Sequence, residues 1–181
     1  MKTILLAVIL LAIPCSAEVV DKSASGFLVK HVTTVPTNPT STYGVIVDVA
    51  KWWEDSHTWS GSANNLSITP KAGGCFCEKL PPDGELAHGT VIYAAPGKLL
   101  RLSGALGPMQ GFGIVGVLSF ELKPAGAGTE ITMTYSAGGY FQGGLQAMAD
   151  PADGMLAAQF ESLKRLLSKA AAENPAGPAF V

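Results

Sequence analysis

Three histidines, two closely spaced cysteines and three tryptophans are the residues of this chain whose types could do chemistry. His88 is the candidate for proton transfer. Alternation along residues 85–94 puts it on one face with Thr90 and Ile92, opposite Val91 and Tyr93. On the concave face it would act as an acid or base near neutral pH; on the other it is a surface or strand-end histidine. His57 lies in a loop near Asp55 and Trp59 and reads as exposed, and His31 reads as a structural residue in mid-strand. Cys75 and Cys77 stand two apart. Such a pair outside the cytoplasm suggests a disulfide. Two residues along a strand, however, span roughly 6.6 Å, close to the limit of about 6.8 Å for bridged Cα atoms. Free structural thiols, a tight disulfide and a metal site shared with a histidine are therefore all open, although the spacings are not those of zinc sites. Glu78 and Arg101 are expected to pair across strands. Trp52, Trp53 and Trp59 each join a large apolar body to one polar handle. They either pack where helices meet a sheet or line a ligand entrance. No nucleophile elbow accompanies a Ser-His-Asp order. The Gly73-Gly74, Gly138-Gly139 and Gly143-Gly144 pairs do not join a strand to a helix within a βαβ unit. No catalytic residue is assigned, and no cofactor and no metal is expected.

The elements that must position these residues follow from periodicity. Residues 25–35 read as a strand. Asn38-Pro39 caps a helix, with Asn as cap and Pro in the first turn, and a short turn or helix covers residues 50–54. From Leu66 the period becomes two. Strands are predicted over 66–69, 74–80, 85–94, 98–106, 114–123 and 129–136, with a flexible connection over 107–113. Ile131, Met133 and Tyr135 share one face and Thr132 and Thr134 the other, the pattern of an antiparallel sheet with one covered face. The glycine-rich stretch Gly138–Gly144, with Tyr140 and Phe141, is either a gate or a turn. Asp150-Pro151 repeats the cap-plus-proline signal. The helix it opens runs to about Ala172 with an apolar stripe of Met155, Leu156, Phe160, Leu163, Leu166 and Leu167, ends at Asn174-Pro175, and leaves a loose tail over 173–181.

Composition sets the class. The chain has 181 residues, 48% apolar and 14% charged, with a net charge of −2. That suits one domain, excludes disorder over most of the length, and disfavours nucleic acid as a partner, since phosphate binding needs a basic excess. Mean hydropathy is +0.30. Part of this sits in residues 1–17: Lys2, an uncharged apolar run and small residues ending at Ala17, the layout of a secretory signal peptide cleaved after Ala17. The apolar run is too short to span a bilayer, which needs about 20 residues. The expected product is secreted or periplasmic, with no stable membrane span after cleavage; the sequence does not set the oligomeric state.

The order of one strand, short helices, about six antiparallel strands and one long amphipathic helix carries particular residues with it. They are Val49-Ala50-Lys51-Trp52-Trp53, Ala72-Gly73-Gly74-Cys75-Phe76-Cys77-Glu78, His88-Gly89-Thr90-Val91, Pro96-Gly97-Lys98-Leu99-Leu100-Arg101-Leu102 and Gly128-Thr129-Glu130-Ile131. Together they resemble the START-like (SRPBCC, helix-grip) superfamily over residues 25–170. The likeness is to the bacterial branch grouped with polyketide cyclases/dehydrases and homologues of the heat-shock-chaperone ATPase activator. The resemblance implies an α+β helix-grip fold, with a curved antiparallel sheet of about six to seven strands wrapped around the long C-terminal helix. It also implies a cavity for a hydrophobic small molecule between them. On that architecture the expected lining is Trp53, Phe76, His88, Leu118, Phe120, Met133, Tyr135, Tyr140, Met155 and Phe160. The expected function is binding of a lipid-like, polyketide-like or aromatic molecule. The alternatives are a cyclase or dehydratase using His88 and a tyrosine in the same pocket, and an envelope stress or interaction protein.

Overall fold

The computed structural model describes residues 16–173. All but the last two residues of the predicted signal peptide lie outside the described residues, as do the predicted Asn174-Pro175 stop and all of the tail after Glu173. Eight strands form one antiparallel sheet: β1 (Ser16–Ser23), β2 (Gly26–Val35), β3 (Leu66–Ile68), β4 (Cys75–Leu80), β5 (Gly84–Ala95), β6 (Leu99–Ser103), β7 (Gly113–Ala125) and β8 (Gly128–Tyr140). Their spatial order is β1-β2-β8-β7-β6-β5-β4-β3. Helix α1 (Pro39–Val47) and three short 3-10 turns connect β2 to β3, and α2 (Gln146–Glu173) follows β8.

The strand absent from the sequence reading is β1. It pairs with β2 from Ser16 opposite Val32 to Ser23 opposite Gly26. Glu18, Asp21, Lys22 and Ser23 give it no apolar alternation to read. Polar residues of this kind are how an edge strand avoids further pairing. The α1 cap forms as the sequence implies: Asn38 Oδ1 accepts the Ser41 amide at 2.9 Å and Pro39 opens the helix.

One face of the sheet is apolar throughout. Val29 and Val35 on β2, Ile131, Met133 and Tyr135 on β8, Leu118, Phe120 and Leu122 on β7, and Leu100 and Leu102 on β6 are all buried. α2 packs against this sheet at β2 and β1. Its buried residues Ala149, Ala152, Leu156, Phe160, Leu163 and Leu167 recur every three or four positions, one stripe of a 3.6-residue helix.

α2 starts a turn before the predicted cap, which places Pro151 inside the helix. The cause is tertiary. Leu145 is fully buried and its N–H donates to the Ala24 carbonyl, so the chain is anchored before Gln146. Ala149 then buries against the core, and a proline close to the N-terminus removes only one helical hydrogen bond.

Two irregularities in β5 overturn the strict alternation expected there. Cys77 pairs with Ala87 while Phe76 pairs with Gly89, and Val91 pairs with Leu102 while Tyr93 pairs with Arg101. His88 and Ile92 are the extra residues. A bulge re-aims every side chain beyond it. Thus His88 and Val91 are both buried, whereas Thr90 and Ile92 are exposed. Opposite the first bulge, a Cβ on Gly104 would overlap the His88 carbonyl oxygen. Gly104 is also where the chain leaves the sheet, ending β6 at Ser103 rather than at Leu106. The segment expected to be a flexible connection is a 3-10 turn, Gly107–Gly111, with Met109 buried.

Candidate functional site

A cavity of about 300 Å³ opens at one end of the layer between α2 and the sheet. Met148, Pro151, Ala152 and Met155 contribute the α2 wall, and Trp53 and residues 56–59 the facing wall. His88 reaches it from β5, and Leu106, Gly107, Pro108 and Met109 close the remaining side. The lining is aromatic, thioether and aliphatic, with two imidazoles and the residues Ser56 and Thr58 as its polar side chains. A mainly apolar hollow with a few placed polar groups is the usual form of a small-molecule site.

The walls are held by specific bonds. Trp53 Nε1 donates to the His57 carbonyl at 3.0 Å and stacks edge-on to Phe76. Trp52 points away, its Nε1 donating to the Ile46 carbonyl, and packs against Phe120. Trp59 stays 56% exposed at the rim. The Leu106–Met109 wall is pinned by Tyr135, whose hydroxyl accepts the Leu106 N–H at 3.1 Å. The same hydroxyl donates to the Gly104 carbonyl at 3.5 Å. Burial pushes the Tyr135 phenol above its usual pKa, against the bond from Leu106.

His88 does not stand alone. Its Nε2 lies 2.8 Å from Oε2 of Glu78, which is completely buried on β4. Phe76, between the two cysteines, packs on the imidazole with ring centroids 4.7 Å apart. Glu78 Oε1 accepts the Ser60 N–H. Burial works to raise the Glu78 pKa. Bonds from the Ser60 hydroxyl and amide, His88 and the Trp59 amide outweigh it and hold the carboxyl below its usual range. The expected Glu78–Arg101 pair does not form: β5 separates their strands, and Arg101 Nε donates instead to Ser119 Oγ at 3.0 Å.

His57 is likewise tied. Its Nδ1 lies 2.7 Å from Gln159 Nε2, and Gln159 Oε1 accepts the Glu54 N–H at 2.8 Å. Gln159 is fully buried on α2. The sequence signal for it is a polar residue inside the apolar stripe, between Leu156 and Leu163. His31 is buried on β2 at 3.0 Å from Asp153 Oδ1 and beside Phe160. Burial lowers its pKa, with Asp153 and Glu161 working against the shift.

Cys75 and Cys77 form a disulfide with Cα atoms 5.4 Å apart. The spacing is shorter than the roughly 6.6 Å that two residues span on a regular strand, and β4 and β5 lose register between Phe76 and Cys77. Among the described residues, no group of three or more His, Cys, Asp or Glu side chains could hold a metal ion.

Of the ten residues expected to line a cavity, Trp53, His88 and Met155 line this one. Phe76, Leu118, Phe120, Met133, Tyr135 and Phe160 sit in the closed core, each at most 3% exposed. The sequence predicts which residues face inward. It does not predict which of them the packing of α2 against β2 and β1 encloses and which it leaves on a hollow. Tyr140 is 76% exposed and, with Phe112 and Phe141, borders a separate cleft of about 400 Å³. Of the glycine-rich stretch, Gly138 to Tyr140 end β8 and residues 141–144 form the turn ahead of α2. Met109, Met148, Leu106 and His57, which do line the cavity, come from segments whose approach depends on the fold.

The overall fold of this chain is similar to that of solved structures. One is a protein from Mesorhizobium loti, 19% identical, covering 78% of this chain and 97% of that one, with a TM-score of 0.57. The Aha1 dimer from Colwellia psychrerythraea is 18% identical over 78% of this chain and 96% of that one, at 0.56. The di-domain ARO/CYC StfQ from the steffimycin biosynthetic pathway is 11% identical, over 82% of this chain and 53% of that one, at 0.57. The fold is a helix-grip fold. No protein-family model and no curated protein matches the chain. Within the helix-grip fold, the eighth strand β1 extends the expected sheet at its β2 edge. No helix among the described residues is long and apolar enough to cross a membrane.

Proposed function

We propose that this helix-grip protein binds a hydrophobic or aromatic small molecule in the cavity between the first half of α2, the Trp53–Trp59 segment and His88. The single observation that carries the reading is that 300 Å³ hollow, walled by Trp53, Trp59, Met109, Met148 and Met155. Thioether side chains adapt to a guest's shape, and indoles give large contact area at low entropic cost. We further propose that the protein works outside the cytoplasm. The signal-like residues 1–17 and the Cys75–Cys77 disulfide support this, since disulfides persist in oxidising compartments. Cleavage after Ala17 would leave the remainder of β1 in the mature chain.

Native mass spectrometry of protein purified without detergent, paired with titration of a solvatochromic naphthalene dye, tests the binding reading. A co-purified apolar compound or saturable dye binding that Met155→Arg abolishes is expected. Absence of both would refute it.

One observation favours a second reading, an enzyme of the cyclase or dehydratase type. The Glu78 carboxylate backs His88 at the cavity wall, an arrangement in which a carboxylate orients an imidazole for proton transfer. The tyrosine partner expected for such chemistry is not in this cavity: the Tyr135 hydroxyl is bonded to backbone and Tyr140 lies outside. StfQ, which shares the fold, is an ARO/CYC. Turnover of a poly-β-ketone that His88→Gln eliminates would establish this reading.

A further inference from the structure

The two imidazoles on the cavity wall have their protons placed by their partners, and the placement differs. Gln159 Oε1 receives the Glu54 backbone N–H at 2.8 Å, and a backbone amide only donates. This identifies the oxygen of the Gln159 amide and leaves its NH₂ facing His57 Nδ1 at 2.7 Å. An NH₂ also only donates, so Nδ1 accepts and the His57 proton resides on Nε2. Glu54 Oε2 stands 3.9 Å from the same Nδ1, too far for a hydrogen bond, while Arg165 lies 3.6 Å from Glu54 Oε1. The Trp53 indole fixes the His57 backbone. The nitrogen that His57 has left to offer is therefore an N–H donor.

His88 has the opposite arrangement. Its Nε2 meets the Glu78 carboxylate, which accepts only, so the proton of the neutral ring sits on Nε2. The nitrogen left over, Nδ1, carries a lone pair. Phe76 lies against the ring and the Ser60 bond to Glu78 holds the carboxylate in place. Both residues line the cavity, His57 at its exposed edge, so one imidazole there keeps a free N–H and the other a free lone pair. The lining contains no Lys, Arg, Asp or Glu. A carboxylate guest would find no cation there and would meet the field of Glu78 behind His88.

Resting on the small-molecule reading above, we infer that the cavity selects uncharged apolar ring compounds bearing a carbonyl-type oxygen for His57 and a hydroxyl for His88, and rejects fatty-acid-like anions.

A matched series on the full chain tests this: naphthalene, 2-acetylnaphthalene, 2-naphthol and 2-naphthoate at pH 7.5, followed by tryptophan fluorescence. The ketone and the naphthol are each expected to bind about fivefold tighter than naphthalene, the worth of one ordinary hydrogen bond. Naphthoate is expected to bind more weakly than naphthalene. His57→Phe should remove the gain for the ketone and keep the gain for the naphthol. Long-range ¹H–¹⁵N correlation on the unliganded wild-type protein should show His57 with a protonated Nε2 and a bare Nδ1. A His57 proton on Nδ1, naphthoate as the tightest guest, or equal affinities for naphthalene, ketone and naphthol would overturn the inference while leaving an apolar binding site. Failure of naphthalene and every derivative to bind would overturn the binding reading itself.

Discussion

Glu78 is the residue on which the site depends most. It is completely buried, ionised, and satisfied by Ser60 and His88. Removing it leaves the Ser60 N–H and the His88 Nε2–H without their acceptor, and a buried unsatisfied donor costs about 1–3 kcal/mol. Glu78→Ala is accordingly expected to lower stability by about 2 kcal/mol in urea titrations and to weaken binding of cavity ligands. Glu78→Gln should keep the Ser60 bond but turn an NH₂ toward His88, forcing its proton to Nδ1, which ¹⁵N chemical shifts would report. His31 supplies a separate, pH-dependent effect. Its folded pKa lies below its ordinary value through burial, although Asp153 and Glu161 oppose the shift. The unfolded chain therefore binds more protons than the folded one just below the ordinary histidine pKa. Stability is full above that pKa and falls as pH drops toward the folded value. Melting temperature should decline on moving from pH 7 to pH 5, and His31→Gln should flatten that decline. Glu78 adds to the loss only at lower pH, as the medium falls through its depressed folded pKa. Sequence could nominate His88 from its strand position. It could not supply Glu78 as its partner, because a bulge breaks the alternation on which face assignment rests.

The elements show where local rules yield to packing. Pro151 reads as the first residue of a helix, yet it lies inside α2 because Leu145 and Ala149 are already buried ahead of it. Proline inside a helix costs about 3 kcal/mol at most positions, less near the start. Pro151→Ala should therefore raise the melting temperature while altering a wall of the cavity, so that a gain in stability accompanies a change in ligand affinity. The Cys75–Cys77 disulfide closes a ring of very few residues. A chain-entropy account gives such a short loop only about 1.5 kcal/mol. Cys75→Ser with Cys77→Ser is expected to cost about that much in chemical denaturation, and a loss above about 4 kcal/mol would show that the bridge holds the bulge in register. Gly104 is held to a stricter requirement: a Cβ there would overlap the His88 carbonyl oxygen. The strands themselves were legible wherever period-two alternation met turn residues, as at Pro96-Gly97 and Pro124–Gly128. β1 was illegible because its partner, β2, provides the register that its own polar sequence does not.

At the scale of the whole molecule, the low charge content serves two distinct ends. Most apolar side chains close a core in which α2 lies on β2 and β1, and a smaller set at one end walls a hollow. Ligand binding should therefore protect the cavity end of α2 and the Trp53–Trp59 segment from hydrogen exchange, while β7 and β8 change little; uniform protection would place the ligand elsewhere. The sequence by itself determined the class of the fold: an α+β chain with one long C-terminal helix and an antiparallel sheet with one covered face. Periodicity encodes which way a side chain points, and that is a local property. Only the tertiary structure decided which inward side chains touch one another and which touch empty space. That depends on how far α2 stands from each strand and where β5 bulges. It also depends on which loop residues, His57 and Met109 among them, are carried in from distant parts of the chain. The same distinction separates the six predicted lining residues that became core from the three that face the cavity.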